Sequence, residues 1–288
     1  MGLSESFGFE ERWLRLGLKV LMKDGTIFQP SRISEAQIVL GGIGNRQVFA
    51  LRDWMRGIGL ITQLGSGAFE LTPLAQVIMQ YDPTLEEDGS YWVIHHSLCM
   101  NASDIWFYSY YANTFGEGSF SRDDIKTSFM KARNLSETVI EKKCITPLLH
   151  TMRSTKLGER LGILLPLEKD LYQRKAPSEA NLPLPVFAYM IVDWTTRNTR
   201  TTCNTAELLQ VGSVAKCLAL PPIEMNQMLD RVQDRYRGRI LTVSRTAGLN
   251  SVSFNNTIKP LAILRTYYIE LFDGLDSSDS LNMASQIE

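Results

Sequence analysis

Apolar residues recur at helical spacing along most of the chain, and short segments of alternating polarity follow several of these runs. Residues 34–74 show the pattern most clearly. Ser34 and Gln37 are spaced as a capping box for a short helix, and Asn45 is a suitable cap for a second one. This second helix has an apolar face made of Val48, Leu51, Trp54, Met55 and Ile58.

The opposite face of the second helix is predicted to point outward and consists of Arg46, Gln47, Arg52, Asp53 and Arg56. A hairpin follows over residues 60–71, with its turn at Gly65-Ser66-Gly67. Helix, turn, helix and hairpin in this order predict a winged helix, a fold most often used to bind duplex DNA. The candidate DNA-binding residues are then Arg46, Gln47, Arg52 and Arg56. A winged helix used only for protein contacts is the alternative.

A second helix-turn-helix is predicted to begin at the cap Ser121, and its second helix runs from about Glu137 to Met152. Pro147 predicts a kink or an early end there, because its ring disrupts the helical hydrogen bonds. Candidate DNA contacts on this helix are Lys142, Lys143, His150 and Arg153. Residues 161–167 and 171–174 are predicted strands of a second wing.

A third module follows a predicted linker at residues 182–185. Its long helix spans residues 222–236, with Arg235 and Arg239 as candidate DNA contacts. A hairpin over residues 240–254 turns at Ala247-Gly248-Leu249-Asn250. A final helix covers residues 259–272, and the polar end of the chain from Asp273 is predicted to be frayed.

The predicted fold is therefore mainly α with small β-hairpins, arranged as tandem winged-helix-like modules around a helical core. The predicted boundaries are 1–80 for the first winged helix, 81–181 for an aromatic helical region with the second module, and 182–288 for the third. The aromatic helical region spans residues 91–115, with a break near Asn101-Ala102-Ser103. Its aromatic density predicts a core, and His95 and His96 are expected to be core histidines.

Four carboxylates precede the aromatic region: Asp82, Glu86, Glu87 and Asp88. Convergent carboxylates are the ligands that Mg²⁺ or Mn²⁺ requires in a nuclease, so Asp82, Glu86 and Asp88 are the candidate metal ligands. The alternative is structural, with Asp88 and Ser90 capping the following helix.

Charge is segregated along this chain of 288 residues, although its formal net charge is only −1. Residues 122–175 contain 12 basic and 7 acidic residues, and residues 197–245 contain 8 basic and 4 acidic ones. These segments predict a phosphate-binding surface or, alternatively, solvated helix faces. Four dispersed cysteines and the lack of a long apolar run favour a reduced, cytoplasmic protein without membrane contact.

Several motifs are specific as a set. They are Arg12-Trp13-Leu14 with Gly17, Asp82-Pro83-x-Leu85-Glu86-x-x-Gly89-Ser90-x-Trp92-x-x-His95, Trp106-Phe107-Tyr108 and Pro185-Val186-Phe187-Ala188-Tyr189. Together they resemble a bacterial family long known only as a domain of unknown function, found beside DNA phosphorothioate modification genes. The resemblance covers nearly the whole chain. One departure is Ser4-Glu5-Ser6-Phe7, where the family has His-Glu-Thr-Phe.

One type of family member is the nicking protein of single-strand phosphorothioation systems, which replace a phosphate oxygen by sulfur as a mark for phage defence. The resemblance implies a protein that binds double-stranded DNA and nicks one strand, with a cysteine desulfurase, an ATPase and a sulfur-transfer enzyme as partners. It leaves a homodimer open and supplies no catalytic residue. A non-cutting DNA-binding regulator and a scaffold for the sulfur-transfer enzymes are the alternative functions.

Overall fold

The computed structural model describes residues 6–101, 105–116, 118–246 and 249–287. Three predicted features lie outside them: the motif residues Ser4-Glu5, the helix break at Ala102-Ser103 and the hairpin tip Ala247-Gly248. The chain divides into two compact units, Met1–Lys175 and Ala176–Glu288. Helices dominate the described residues and the strands form small antiparallel sheets, which confirms the predicted fold class. The three predicted module boundaries stay a prediction.

The first unit opens with three helices, a hairpin and a fourth helix. These are α1 (Glu11–Lys23), α2 (Ile33–Val39), α3 (Asn45–Ile58), β1 (Ile61–Gln63), β2 (Phe69–Leu71) and α4 (Pro73–Tyr81). The predicted apolar face of α3 is buried, because it packs against α1 and α2. Gly59 ends α3 with a φ of 77°, a left-handed conformation that glycine adopts without steric cost.

Three local predictions in this region are wrong. Ser34 lies inside α2, and Gln37 donates its amide to the carbonyl of Ile43 at 3.0 Å instead of completing a capping box. Asn45 does not cap α3, because the N–H of the preceding Gly44 donates to the Gln47 side chain at 2.7 Å. Asp53 is only 6% exposed, because neighbouring helices bury more of α3 than one apolar stripe.

The aromatic region forms α5 (Asp88–Met100) and α6 (Trp106–Thr114), and nearly all of its side chains are buried. Trp54 of α3 meets Phe107 edge-on at a centroid distance of 6.1 Å and Tyr108 at 6.4 Å. Edge-to-face contacts of this kind are favoured by the ring quadrupoles. The predicted aromatic core is therefore confirmed.

The second half of the first unit is built around a three-stranded sheet. Its elements are β3 (Ser119–Ser121), α7 (Arg122–Ala132), α8 (Glu137–Ile140), α9 (Thr146–Ser154), α10 (Lys156–Leu161), β4 (Leu164–Glu168) and β5 (Leu171–Arg174). The strand order is β3-β5-β4. Ser121 caps α7, as predicted, and a reciprocal capping box with Asp124 adds to this cap. The turn between β4 and β5 uses Asp170 at a φ of 60°, which the sequence did not signal.

Pro147 follows an irregular turn of helix. A turn of π-helix, Glu141–Ile145, separates α8 from α9, and Pro147 occupies the first turn of α9. The wider turn accommodates a residue that has no N–H and whose ring collides with the carbonyl four residues earlier. The predicted early end is wrong, because α9 continues to Ser154.

The second unit is likewise built around a three-stranded sheet, with the following elements. They are α11 (Leu184–Arg197), β6 (Thr202–Asn204), α12 (Val214–Leu218), α13 (Pro222–Arg235), β7 (Leu241–Thr246), β8 (Leu249–Phe254), α14 (Pro260–Asp273) and α15 (Ser277–Ser285). The strand order is β6-β8-β7. The end of the chain is not a frayed tail from Asp273. Asp276 caps α15 by accepting from the N–H groups of Ser278 and Asp279, and Leu281 and Ala284 are buried.

A strand, a stretch of helices and a hairpin recur with equivalent pairing in both units, since the first strand always pairs with the last. The described stretch contains four α-helices in the first unit and two in the second. In the α1–β2 region a backbone hydrogen bond from Phe69 N–H to the Gly25 carbonyl, at 2.7 Å, takes the place of the first strand. The shared topology has no counterpart in a sequence repeat, because burial patterns and turn lengths differ between the copies.

Candidate nucleic-acid interface

The α3 face holds the first four candidate DNA-binding residues. Arg46 is exposed, whereas Gln47, Arg52 and Arg56 are half-buried. Gln47 is held in the helix cap, and Arg52 contacts Asp53 at 3.4 Å while its guanidinium lies 5.1 Å from the Phe49 ring centre. Gln47 and Arg52 are therefore oriented by local contacts. The assignment of these four residues to DNA stays a prediction.

A basic stripe follows α1, where Arg12, Lys19 and Lys23 are exposed and make no ion pair within the described residues. Arg15 lies on the same side of the helix but donates to the Thr84 carbonyl at 2.9 Å and lies 3.8 Å from Glu86. The three unpaired cations lie one or two turns apart, so they present positive charge along the full length of the helix.

The helix formed by α8, the π turn and α9 carries further cations. Lys142 and Arg153 are exposed and Lys143 is half-buried. Arg153 donates to the Tyr172 hydroxyl at 3.4 Å and stacks over its ring at 5.4 Å. Lys142 makes no ion pair within the described residues, so its charge is available to an anionic ligand.

The middle of α9 is covered by the segment that precedes α1. Phe9 donates its N–H to the Thr151 hydroxyl at 2.9 Å, and His150 lies 3.8 Å from Glu10. A Cβ at Gly8 would lie 2.5 Å from Nδ1 of His150, so a larger residue there would require the His150 side chain to shift. His150 nevertheless stays exposed, as do Arg153 and Ser154 at the end of α9.

The arginines of α13 and the strand that follows are engaged in contacts within the second unit. Arg235 pairs with Glu270 at 2.6 Å, and Arg239 donates to Asn282 at 2.7 Å. Further ion pairs are Arg231–Glu179 at 2.9 Å and Arg245–Asp230 at 2.7 Å. The basic excess of residues 197–245 is thus largely consumed by protein contacts, and Arg235 and Arg239 hold α14 and α15.

The loop before α5 is organised by Asp82, which is 3% exposed. Its carboxylate accepts from the N–H groups of Glu86 at 2.9 Å and Glu87 at 3.1 Å, and from the Ser90 hydroxyl at 2.6 Å. A carboxylate is favoured at this place because the N–H groups at a helix start carry partial positive charge. The predicted caps Asp88 and Ser90 are wrong, since both lie inside the first turn of α5.

The other two candidate metal ligands face basic side chains. Glu86 pairs with Lys156 at 2.5 Å, and Asp88 pairs with Arg160 at 2.8 Å. Lys156 holds the pKa of Glu86 below its usual value, whereas burial raises the pKa of Glu87. Across the part of the chain that the structure describes, no group of three His, Cys, Asp or Glu side chains could hold a metal ion. The geometry therefore gives the predicted metal site no support.

Sequence reasoning missed the groove beside these ion pairs. Its volume is about 580 Å³, and it is lined by Glu11, Arg153, Ser154, Thr155, Lys156, Glu159 and Arg160. Lys156 and Arg160 had no recognisable signal, because their partners lie about 70 residues away in the sequence. The groove offers three cations, two carboxylates and two hydroxyl groups, a polar lining that suits a charged ligand.

The buried histidines behave as predicted core residues. Nδ1 of His95 lies 2.8 Å from the Tyr108 hydroxyl, and Nε2 lies 3.6 Å from the sulfur of Cys99. The Tyr108 hydroxyl in turn reaches the Met152 sulfur at 3.4 Å. All four cysteines are buried as free thiols, and burial raises the pKa of Cys144 to about 12 and that of Cys203 to about 11. Thiols of this kind are poor nucleophiles.

Residues 3–268 match the model of a family described as a protein of unknown function, DUF4007, and the chain belongs to this family. The fold is that of SspB. A crystal structure of magnesium-bound SspB is 18% identical, with a TM-score of 0.79 over 99% of this chain and 96% of that one. A second SspB crystal structure is 16% identical, with a TM-score of 0.77 over 100% of this chain and 97% of that one.

No curated protein matches the chain. The described helices include none with the length and apolar character needed to cross a bilayer.

Proposed function

We propose that this protein is a DNA-binding component of a bacterial DNA phosphorothioate modification and phage-defence system, and that it nicks one strand so that sulfur can be incorporated. Membership of the family and the SspB fold support this assignment. The recurring order of a strand, helices and a hairpin also supports it, because this order resembles that of winged helices, most of which bind duplex DNA.

The observation that carries the proposal is the set of unpaired, exposed cations on the first unit. Arg12, Lys19 and Lys23 of α1 and Lys142 of the α8–α9 helix have no ion pair within the described residues. When unpaired Lys and Arg side chains neutralise DNA phosphates, the counterions condensed on the DNA are released, and this release drives non-specific DNA affinity. The first unit, rather than α13, is therefore the proposed DNA contact.

Strand cleavage needs an activated water and stabilisation of charge at the phosphate. In the groove at α9–α10 the exposed Arg153 is the group proposed for the second requirement, because Lys156 and Arg160 are paired with Glu86 and Asp88. Mg²⁺ or Mn²⁺ is the proposed cofactor. A bound DNA strand would supply phosphate oxygens, which usually complete the coordination shell of such ions. The proposed partners are the cysteine desulfurase, the ATPase and the sulfur-transfer enzyme of the same system.

Relaxation of supercoiled plasmid tests the proposal directly. Purified protein with Mg²⁺ should convert the plasmid to open circles but not to linear DNA, and EDTA should prevent the conversion. An Arg12→Gln/Lys19→Gln/Lys142→Gln variant, purified in parallel, should lose nicking together with DNA affinity, which excludes a contaminating nuclease.

A non-cutting DNA-binding regulator is the second candidate. The pairing of Glu86 with Lys156 and of Asp88 with Arg160 favours it, because these carboxylates are already neutralised. A regulator shifts the mobility of the plasmid without opening it, whereas a scaffold for the sulfur-transfer enzymes does neither. Open circles in Mg²⁺ would exclude both.

A further inference from the structure

Strand cleavage also requires a group that takes a proton from the attacking water. Arg153 cannot take it, because a guanidinium stays protonated in proteins. Histidine is the side chain that most often acts as a general base, since its ordinary pKa lies near neutrality. Of the three histidines in the chain, His95 and His96 are buried in α5, whereas the side chain of His150 in α9 is 43% exposed. His150 is therefore the histidine that a substrate can reach.

The carboxylate of Glu10 faces the imidazole of His150 from the segment that precedes α1. Nε2 of His150 lies 3.8 Å from Oε1 of Glu10, which is close enough for charge attraction but longer than a hydrogen bond. The backbone at Gly8 lies against the Nδ1 side of the ring. Nε2 is therefore the nitrogen left for proton transfer. The carboxylate stabilises the imidazolium that the transfer creates, as an acidic residue does beside a catalytic histidine.

The charges around the imidazole come from two segments of the chain. Burial raises the pKa of Glu10, His150 lowers it, and the neighbouring Glu11 raises it. On α9 itself, Arg153 follows His150 by three residues. A carboxylate favours protonation of a nearby imidazole and a cation opposes it, so Glu10 and Arg153 act on the ring in opposite directions.

The pair of His150 and Glu10 borders the groove at α9–α10. Glu11 directly follows Glu10 and lines the groove, and Arg153 lines it one turn further along α9. Side chains three residues apart on a helix are neighbours on its surface. A phosphate held by Arg153 would thus lie beside the imidazole, in a groove whose volume of about 580 Å³ admits water.

We propose that His150 is the general base of the nicking reaction and that Glu10 positions it, an assignment that rests on the proposed function. Nε2 of His150 takes a proton from a water molecule, whose oxygen attacks the phosphorus and forms a new P–O bond. The P–O bond to one sugar oxygen breaks, and this oxygen takes a proton from solvent water. The imidazolium then gives its proton to solvent. The products are a phosphomonoester end and a hydroxyl end, and water is the co-reactant.

Initial rates of plasmid nicking in Mg²⁺, measured over a series of pH values, test the assignment. The wild-type rate should fall on the acidic side of neutrality, by up to about tenfold per pH unit, because a protonated imidazole accepts no proton. His150→Gln should lower the rate at pH 8 by about 10²–10⁴-fold and should abolish the acidic fall. Its affinity for duplex DNA, measured by fluorescence anisotropy in EDTA, should stay close to the wild-type value.

Two further variants separate proton transfer from a structural role. Glu10→Gln should lower the rate less than His150→Gln does. It should also move the acidic fall to lower pH, because the imidazolium loses the carboxylate that stabilises it. Imidazole added to His150→Ala should restore part of the lost rate, since a free base in the vacated space can take the proton. A structural role gives no such rescue.

The matched control is Thr138→Gln, which places the same side chain at an exposed position of α8. It should nick at the wild-type rate, and thermal melting verifies that each variant folds. A wild type that does not nick would contradict the proposed function itself. If the wild type nicks, then full activity of His150→Gln would overturn only the assignment of His150. A loss of DNA affinity in that variant that matches its loss of rate would do the same.

Discussion

Asp82 shows how a single buried carboxylate organises the loop that precedes α5. It accepts from two backbone N–H groups and from the Ser90 hydroxyl, all within 3.1 Å. These donors satisfy its charge and fix the chain direction at the start of α5. The residue that sequence reasoning placed in a metal site is thus engaged by the protein itself.

We expect Asp82→Asn to lower the free energy of unfolding by about 1–3 kcal/mol. The NH₂ group of Asn would face N–H and O–H donors that now bond to a carboxylate oxygen. The destabilisation should be the same in Mg²⁺ and in EDTA, which urea denaturation in each buffer measures. The structural role would be contradicted if Mg²⁺ raised the free energy of unfolding of the wild type but not that of the variant.

Asp24 provides a prediction about pH. The hydroxyl and N–H of Thr26, together with Arg32, lower its pKa to about 2. A carboxyl whose pKa is lowered by folding stabilises the protein above its unfolded pKa of about 3.9, and this stabilisation is lost as the pH falls through the folded value. Asp24→Asn should therefore be less stable than the wild type at pH 7.

The difference between wild type and Asp24→Asn should shrink as the pH falls from about 4 to about 2, where the wild-type carboxyl takes up its proton. Urea midpoints of both proteins across this range measure the change. A difference that keeps its full size at the acidic end would show that the variant acts through packing rather than charge.

At the scale of elements, the contact between α9 and α10 depends on one glycine. A Cβ at Gly158 would lie 2.2 Å from the Met152 carbonyl oxygen, which belongs to backbone and cannot rotate away. The helices therefore approach each other closely only because residue 158 lacks a side chain. The same pair of helices lines the groove, so this contact sets the groove's shape.

Gly158→Ala should lower the free energy of unfolding by at least ~2 kcal/mol, since overpacking at a rigid backbone contact displaces whole elements. Thermal melting and denaturant unfolding measure the destabilisation. The control is Gly65→Ala in the first hairpin, where a Cβ meets nothing within 4 Å and which should stay within about 0.5 kcal/mol. Similar destabilisation of both variants would contradict a specific steric role.

At the scale of the whole molecule, the two units use their basic residues differently. The first unit leaves Arg12, Lys19 and Lys142 without ion pairs among the described residues, whereas the second unit uses Arg235 and Arg239 to hold its last two helices. The number of cations in a sequence therefore does not predict the affinity for DNA, because a cation that is already paired with a carboxylate binds a phosphate more weakly.

We expect the Arg12→Gln/Lys19→Gln/Lys142→Gln variant to bind duplex DNA more weakly. The slope of its log affinity against log salt should be shallower by about one unit for each phosphate that the variant no longer neutralises. Arg235→Gln/Arg239→Gln should leave the slope unchanged and should lower the melting temperature. Fluorescence anisotropy at several salt concentrations measures the slopes of both variants. A shallower slope for Arg235→Gln/Arg239→Gln, together with an unchanged slope for the triple variant, would place the DNA contact in the second unit instead.

Most helices could be predicted because their signal is local. Helical spacing of apolar residues marked α3, the aromatic density marked α5 and α6 as core, and Ser121 with Asp124 marked the start of α7. The elements that were missed have weak local signals. β3 is three residues long, the β4–β5 turn uses Asp170 in a left-handed conformation, and α15 looks polar until its two buried apolar residues are considered.

The sequence by itself determined which segments are helical, which face of each is apolar, and where cations and carboxylates occur. Only the tertiary structure decided which of those charges remain available. Glu86 meets Lys156 across 70 positions and Arg239 meets Asn282 across 43. Spacing along a helix encodes hydrogen bonds and burial within a few residues, whereas pairing between distant elements depends on how the helices pack. For that reason the proposed DNA surface keeps the predicted contact Lys142 of the α8–α9 helix, adds the cations of α1 and leaves out Arg235 and Arg239.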